Sequence, residues 1–112
     1  MKFSFMISFF RTKIKKKTPL HFAASGGDIR VVQMLVAYGA DMKATDGNGW
    51  TVLHYAAYWN RLDAIQYALF LQVDPRIKDR DGKTAQDWAR MNKAREADAY
   101  LGDFMKGLEN RG

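Results

Sequence analysis

The residues best suited to chemistry in this 112-residue chain are its two histidines, His21 and His54. An imidazole can bind a metal ion or act as a general base near neutral pH. The chain has no cysteine, which excludes thiolate metal sites, thiol nucleophiles and disulfide bonds. Neither a serine–histidine–aspartate set nor a pair of carboxylates suggests itself beside the histidines. The sequence therefore predicts no enzyme, no metal site and no cofactor.

A second candidate for chemistry is the acidic, glycine-rich segment of residues 46–49, which reads DGNG. It lacks the glutamate and the ligand spacing of a calcium-binding loop. Aspartate, asparagine and glycine are the usual residues of tight turns. We therefore expect residues 46–49 to form the tip of a hairpin that projects from the neighbouring helices.

Each histidine belongs to a segment that recurs at intervals of 33 residues. Residues 18–24 read TPLHFAA, residues 51–57 read TVLHYAA, and residues 84–90 read TAQDWAR. The segments GAD at 39–41 and DGNG at 46–49 are echoed by QVD at 72–74 and DRDG at 79–82. A period of this length is typical of stacked repeats, in which each unit buries its apolar face against its neighbour.

Each of the first two copies has the pattern of two short helices. Thr18 is a good N-cap and Pro19 suits the first helical position, while Gly27 and Asn60 tolerate the left-handed turn between helices. Gly39 is expected to end the second helix, and Gln72 takes its place one repeat later at a cost of about 1 kcal/mol. The predicted buried residues of the second helices are Ile29, Val32, Met34, Leu35, Val36, Leu62, Ile65, Leu69 and Phe70. Tyr55 and Trp88 are predicted to pack between repeats, and a second helix over about 94–108 has the polar outer face of a terminal repeat.

These motifs resemble the ankyrin repeat, whose pattern combines T-P-L-H-x-A-A with G-A-D and D-x-x-G. The resemblance covers residues 18 to about 105 and implies an all-α solenoid of antiparallel helix pairs with short β-hairpin fingers. It divides the chain into a leader (1–17) and a repeat domain (18–112) with repeats at 18–50, 51–83 and 84–108. It also implies that the two histidines join helix to loop through hydrogen bonds. The motif residues concerned are Thr18, Pro19, Leu20, His21, Thr51, Leu53 and His54.

The same resemblance implies a concave groove, lined by finger tips and helix ends, that binds a protein partner. The positions that correspond to this groove are Thr45, Asn48, Trp50, Tyr58, Trp59, Lys78, Arg80, Asp81, Lys83 and Met91. Exposed tryptophan and tyrosine are typical of interface hot spots. We expect Trp50 to be exposed for binding, with packing as the alternative. For Trp59, partner binding and packing on Leu62 or Met91 are equally open.

The net charge of +6 comes from the leader. Its six cations, with no acid among residues 1–17, are Lys2, Arg11, Lys13, Lys15, Lys16 and Lys17. Residues 18–112 carry 12 basic and 12 acidic side chains, which argues against a face for nucleic acid. The leader is also rich in phenylalanine and has three open interpretations: an improvised cap on the first repeat, an anchor for a membrane or acidic partner, or a disordered or non-native start.

The sequence as a whole predicts a non-catalytic scaffold that binds another protein. We expect a monomer in the cytoplasm or nucleus. No run reaches the roughly 18–20 apolar residues of a membrane span, and the leader lacks the cleavage pattern of a secretory signal. The alternative is a membrane-peripheral adaptor that is anchored by the leader.

Overall fold

A computed structural model describes residues 18–111, and within this range it consists of six helices in three successive pairs. The helices are α1 (Pro19–Gly26), α2 (Ile29–Ala37), α3 (Val52–Tyr58), α4 (Leu62–Phe70), α5 (Ala85–Met91) and α6 (Arg95–Arg111). The three interpretations of the leader fall on residues 1–17, which lie outside the described residues. The helical repeat architecture expected from the sequence is confirmed.

The first helix of each pair begins at a threonine that closes a reciprocal cap. Thr18, Thr51 and Thr84 each accept a hydrogen bond from the backbone N–H three residues later. In return, the side chain at that third position accepts the N–H of the threonine, at 3.0 Å for His21 and 2.9 Å for Asp87. This arrangement is a capping box, which satisfies two N–H groups that a helix start leaves without a partner.

Within each helix pair, the turn between the two helices has one residue in the left-handed backbone conformation, and these residues are 33 positions apart. Gly27, Asn60 and Lys93 have φ values of 83°, 59° and 59°. The ends of α2 and α4 use the same conformation at Gly39 (φ 99°) and Gln72 (φ 69°). The corresponding position in the third repeat, residue 105, stays helical. As a result α6 runs for 17 residues and passes the predicted end near residue 108.

The stack has a closely packed inner row and a looser outer row. The inner helices α1, α3 and α5 contact each other far more extensively than the outer helices α2, α4 and α6 do. Ala24, Ala56, Ala57 and Ala89 are almost fully buried in the inner row. Because alanine has the smallest side chain that still favours a helix, the inner helices can approach closely. The larger core residues are Leu20, Val32, Leu53, Ile65, Leu69, Val73 and Leu101.

Two residues expected in the core, Met34 and Phe70, are on the surface. Met34 is 51% exposed and Phe70 is 78% exposed, so both predictions were wrong. Phe70 follows the buried Leu69 at the last position of α4, and one residue along a helix rotates a side chain by about 100°. Met34 is two residues after the buried Val32 on α2, and two residues along a helix rotate a side chain by about 200°. Tyr55, in contrast, is 9% exposed and is confirmed as core.

The two loops that follow the first two helix pairs are stacked turns and contain no strand in the part of the chain that the structure describes. Isolated backbone hydrogen bonds hold each loop, such as the one from the Asp46 N–H to the Trp50 C=O at 3.0 Å. They are too few to form the predicted β-hairpin. The Arg80 N–H donates to the Asn48 C=O at 3.1 Å and joins the two loops. A Cβ atom on Gly49 would lie 3.2 Å from both the Arg80 nitrogen and the Asp79 Cα, so glycine permits this approach.

Candidate partner-binding surface

Both histidines connect the inner helices to the loops. The backbone N–H of Thr18 donates to His21 Nδ1, which places a ring proton on Nε2. From there it faces the C=O groups of Ala44 and Trp50, each at 3.2 Å. His54 repeats the arrangement with the N–H of Thr51 at 3.1 Å and with the C=O of Lys83 at 3.1 Å. Both rings are engaged by these bonds, which is the structural role that the resemblance implied.

The environment of His54 favours its neutral form. Burial lowers the pKa of His54 below its ordinary value, and this effect outweighs the opposing influence of the Lys83 C=O and of the Asp79 carboxylate. A protonated ring would also turn Nδ1 from an acceptor into a donor that faces the Thr51 N–H. The fold therefore disfavours protonation of this side chain.

We expect the stability of the protein to fall as the pH drops from 7.5 to 5.5. Below about pH 6.5 the unfolded chain binds a proton on His54, whereas the folded chain resists protonation. The free energy of unfolding should therefore fall by up to about 1.4 kcal/mol for each pH unit. Thermal melts followed by circular dichroism at several pH values would measure the change. His54→Gln has no titrating ring and should show a shallower pH dependence. Equal slopes in the two proteins would contradict this assignment.

Two buried aspartates, Asp46 and Asp79, hold the loops in shape. One carboxylate oxygen of Asp79 accepts the N–H groups of Asp81 and Lys83, both at 2.9 Å, and the other accepts the indole N–H of Trp88 at 2.6 Å. Asp46 makes the same three contacts with two loop N–H groups and with the Tyr55 hydroxyl. This role was not predicted from the sequence. The sequence feature that could have indicated it is an aspartate nine residues before an aromatic residue, which occurs in both loops.

The hydrogen bonds and burial of the loops favour one ionisation state each for Asp79 and Tyr55. Burial alone would raise the pKa of Asp79, but hydrogen bonds from the Lys83 N–H, the Trp88 indole and the Asp81 N–H lower it overall. Burial, together with the hydrogen bond to Asp46, raises the pKa of the Tyr55 hydroxyl. At neutral pH, Asp79 is therefore a charged acceptor and Tyr55 a neutral donor.

An aromatic cluster, formed by Trp50, Tyr55, Tyr58, Trp59 and Trp88, lies beside the loops. The ring of Trp50 is at its centre, 4.9 Å from Tyr55, 5.1 Å from Trp88 and 5.8 Å from Tyr58 between centroids. These separations are typical of favourable aromatic pairs. Trp50 is half-buried and packs against the core. Of the two alternatives open for Trp50, the structure therefore shows packing against the core, with part of the side chain still accessible.

The open part of the cluster is at the ends of the inner helices. Trp59 follows α3 and is 50% exposed, with its ring edge-on to Tyr58 at 5.1 Å. Met91 ends α5 and is 58% exposed. The side-chain amide of Asn92 donates to the C=O of Tyr58 at 2.7 Å and joins the two helix ends. Exposed apolar side chains thus project from a fixed backbone.

The remaining predicted positions lie on the loops. Thr45, Asn48, Lys78, Arg80 and Asp81 are exposed, and Lys83 is half-exposed. Across residues 18–111, three ion pairs form, Asp28–Arg30, Asp74–Arg76 and Arg90–Asp98, and none of them involves the loop cations Lys78, Arg80 and Lys83. We use the term partner surface for these six loop residues together with Trp50, Tyr58, Trp59 and Met91.

Two kinds of site were sought among residues 18–111: a membrane-spanning helix and a cluster of metal-ligating side chains. No helix in this range is both long enough and apolar enough to cross a membrane. The same residues contain no group of three or more histidine, aspartate or glutamate side chains placed to hold a metal ion.

Comparison with known proteins agrees with the repeat architecture. The family model described as "Ankyrin repeats (many copies)" matches residues 20–69. The chain is 34% identical over 92 residues to Palmitoyltransferase AKR1 of Lachancea kluyveri, a match that covers 79% of this chain and 11% of the relative. It is 36% identical over 72 residues to Protein phosphatase 1 regulatory subunit 12A of Mus musculus, covering 64% of this chain and 7% of that protein.

A shorter relative matches over a larger share of its own length. Notch-regulated ankyrin repeat-containing protein of Xenopus tropicalis is 36% identical over 53 residues, which are 47% of this chain and 46% of the relative. The chain thus spans about a tenth of the longer relatives and about half of this one. The repeated motifs, the paired helices and the family match together show that the chain belongs to the ankyrin-repeat family.

Proposed function

We propose that this chain is a non-catalytic module that binds another protein through the partner surface. The observation that carries the proposal is Trp59, a large aromatic side chain that is half exposed although its ring packs against Tyr58. Tryptophan at such a position can bury a large area in a partner and loses little rotamer freedom in doing so. The exposed Met91 adds an adaptable apolar contact beside it.

The rigidity of the surface supports the proposal. Every buried side-chain nitrogen or oxygen among the described residues has a hydrogen-bond partner. The loops are tied to the helices by His21, His54, Asp46 and Asp79. A preformed surface loses little conformational entropy when it binds, so a few anchors can supply most of the affinity. The loop cations Lys78, Arg80 and Lys83 would then influence partner choice and association rate.

The relatives support the same class of function. Ankyrin repeats generally mediate contacts between proteins, and two relatives are named as regulatory subunits of protein phosphatase 1. The match to the palmitoyltransferase covers 11% of that protein and gives no reason to propose catalysis here. The monomeric state and the location in the cytoplasm or nucleus stay predictions from the sequence.

We expect Trp59→Ala to weaken partner binding about tenfold or more and to leave the melting temperature nearly unchanged, because a hot-spot truncation costs about 1.4 kcal/mol or more. Partners would be captured on immobilised wild-type protein, identified, purified and titrated by calorimetry. Phe70→Ala is the matched control, since Phe70 is 78% exposed but lies on the outer helix α4. Unchanged affinity in Trp59→Ala, or an equal loss in Phe70→Ala, would refute the proposed surface.

A further inference from the structure

The partner surface has a charged end and an apolar end. The cations Lys78, Arg80 and Lys83 lie on the loop before α5, whereas Trp59 and Met91 lie at the far ends of α3 and α5. Given the proposed function, on which this inference rests, we propose that the partner binds here through a short acidic peptide segment that also carries one large apolar anchor. The acidic part contacts the loop, and the anchor contacts the helix ends.

The loop before α5 turns its acids inward and its cations outward. The Asp79 carboxylate is buried and accepts two backbone N–H groups and an indole N–H. Asp74, near the start of the loop, is paired with Arg76 at 3.0 Å. Lys78 and Arg80, in contrast, are exposed and form no ion pair among residues 18–111. The charge that this loop offers to a partner is therefore mainly positive.

The excess of positive charge is local. The ten residues of the partner surface carry three cations and one carboxylate, that of Asp81. The rest of residues 18–112 carries nine basic and eleven acidic side chains. An acidic segment is therefore attracted to the partner surface in preference to the rest of the repeat domain. Nucleic acids are usually held by many phosphate contacts, and three cations interrupted by Asp81 are few for that purpose, which favours a peptide.

The inner helices set the spacing between the two parts of the peptide. Helices α3 and α5 have seven residues each, so about 10 Å separates the loops from the exposed apolar side chains. An extended peptide covers this distance in about three residues. We therefore expect the acidic residues of the partner to lie about three to five residues from its apolar anchor.

Selection from a phage-displayed library of random peptides on the immobilised full chain would test the proposal. Peptides would be retained only if they fail to bind Trp59→Ala, which excludes those held by the basic leader. We expect the retained peptides to be rich in aspartate and glutamate near a tryptophan, phenylalanine or leucine. Retained peptides without an excess of acid would overturn this inference and leave the proposed surface intact. Absence of any peptide that depends on Trp59 would refute the surface and this inference together.

Charge variants would then be titrated with one selected acidic peptide by biolayer interferometry at low salt. Lys78→Gln/Arg80→Gln should weaken binding about three- to tenfold, mainly through slower association. Asp81→Asn, on the same loop, should strengthen binding about twofold. The control Arg30→Gln/Lys106→Gln removes two exposed cations from α2 and α6 and should change affinity by less than about twofold. Equal affinities of the two double variants, or weaker binding by Asp81→Asn, would overturn the inference.

Discussion

Replacement of His54 by alanine is expected to lower the free energy of unfolding by about 3 kcal/mol. The side chain is 1% exposed and bonds to Thr51 on one side and to the C=O of Lys83 on the other. Alanine would leave the Thr51 N–H without its partner and would remove one of the two bonds to the Lys83 C=O, which also accepts the Asp79 N–H at 2.9 Å. It would also open a cavity beneath the ring of Trp50, which stacks on the imidazole at 5.7 Å. The melting temperature should fall by roughly 10 °C or more.

Chemical denaturation of the wild type and His54→Ala would measure this loss, and His54→Gln separates its two causes. Glutamine can still accept the Thr51 N–H in a capping box and fills more of the space than alanine does. The loss of stability in His54→Gln should therefore be clearly smaller. A His54→Ala protein within about 0.5 kcal/mol of the wild type would show that the tie between helix and loop contributes little.

The second large effect is expected for Asp79→Ala, with a loss of about 2–3 kcal/mol. The substitution removes the acceptor of the Asp81 and Lys83 N–H groups and of the Trp88 indole at once. These donors are partly buried, so water can replace the carboxylate only in part. Denaturation followed by tryptophan fluorescence would report both the stability and the altered surroundings of Trp88.

Asp81→Ala provides the control for Asp79→Ala, because Asp81 lies two residues away on the same loop and is exposed. Its removal should change stability by no more than about 0.5 kcal/mol. If the two variants lost equal stability, the effect would come from the charge of the loop, and the hydrogen bonds of Asp79 would not be its cause.

Much of the fold was predictable because it is encoded by local chemistry. The capping threonines, Pro19 at the start of α1, and Gly27 and Gly39 at left-handed positions each have a residue type that suits the backbone there. Lys93 shows the limit of this reasoning. It adopts φ 59° without any preference for that conformation, because the turn between α5 and α6 imposes it.

The candidate site was less predictable because it depends on side-chain directions. The resemblance located the loop and helix-end positions, but the depth of Trp50 depends on Tyr55, Tyr58 and Trp88, which converge only in the folded stack. The pairing of Asp46 with Tyr55 spans nine residues. This spacing is not one by which a helical or strand period is recognised, so periodicity alone does not reveal it.

The main-chain bond between Asn48 and Arg80 limits how this molecule can diverge. Insertion or deletion of one residue in either loop would shift the two loops out of register and would break this hydrogen bond, which lies beside Gly49. Replacement of the side chains at Asn48 or Arg80 would leave it intact, since only backbone atoms take part. Loop length is thus constrained, as are Gly49 and the buried aspartates, while the exposed side chains at Asn48 and Arg80 are free to vary. A new binding preference can therefore arise by substitution at these two positions without a change of scaffold.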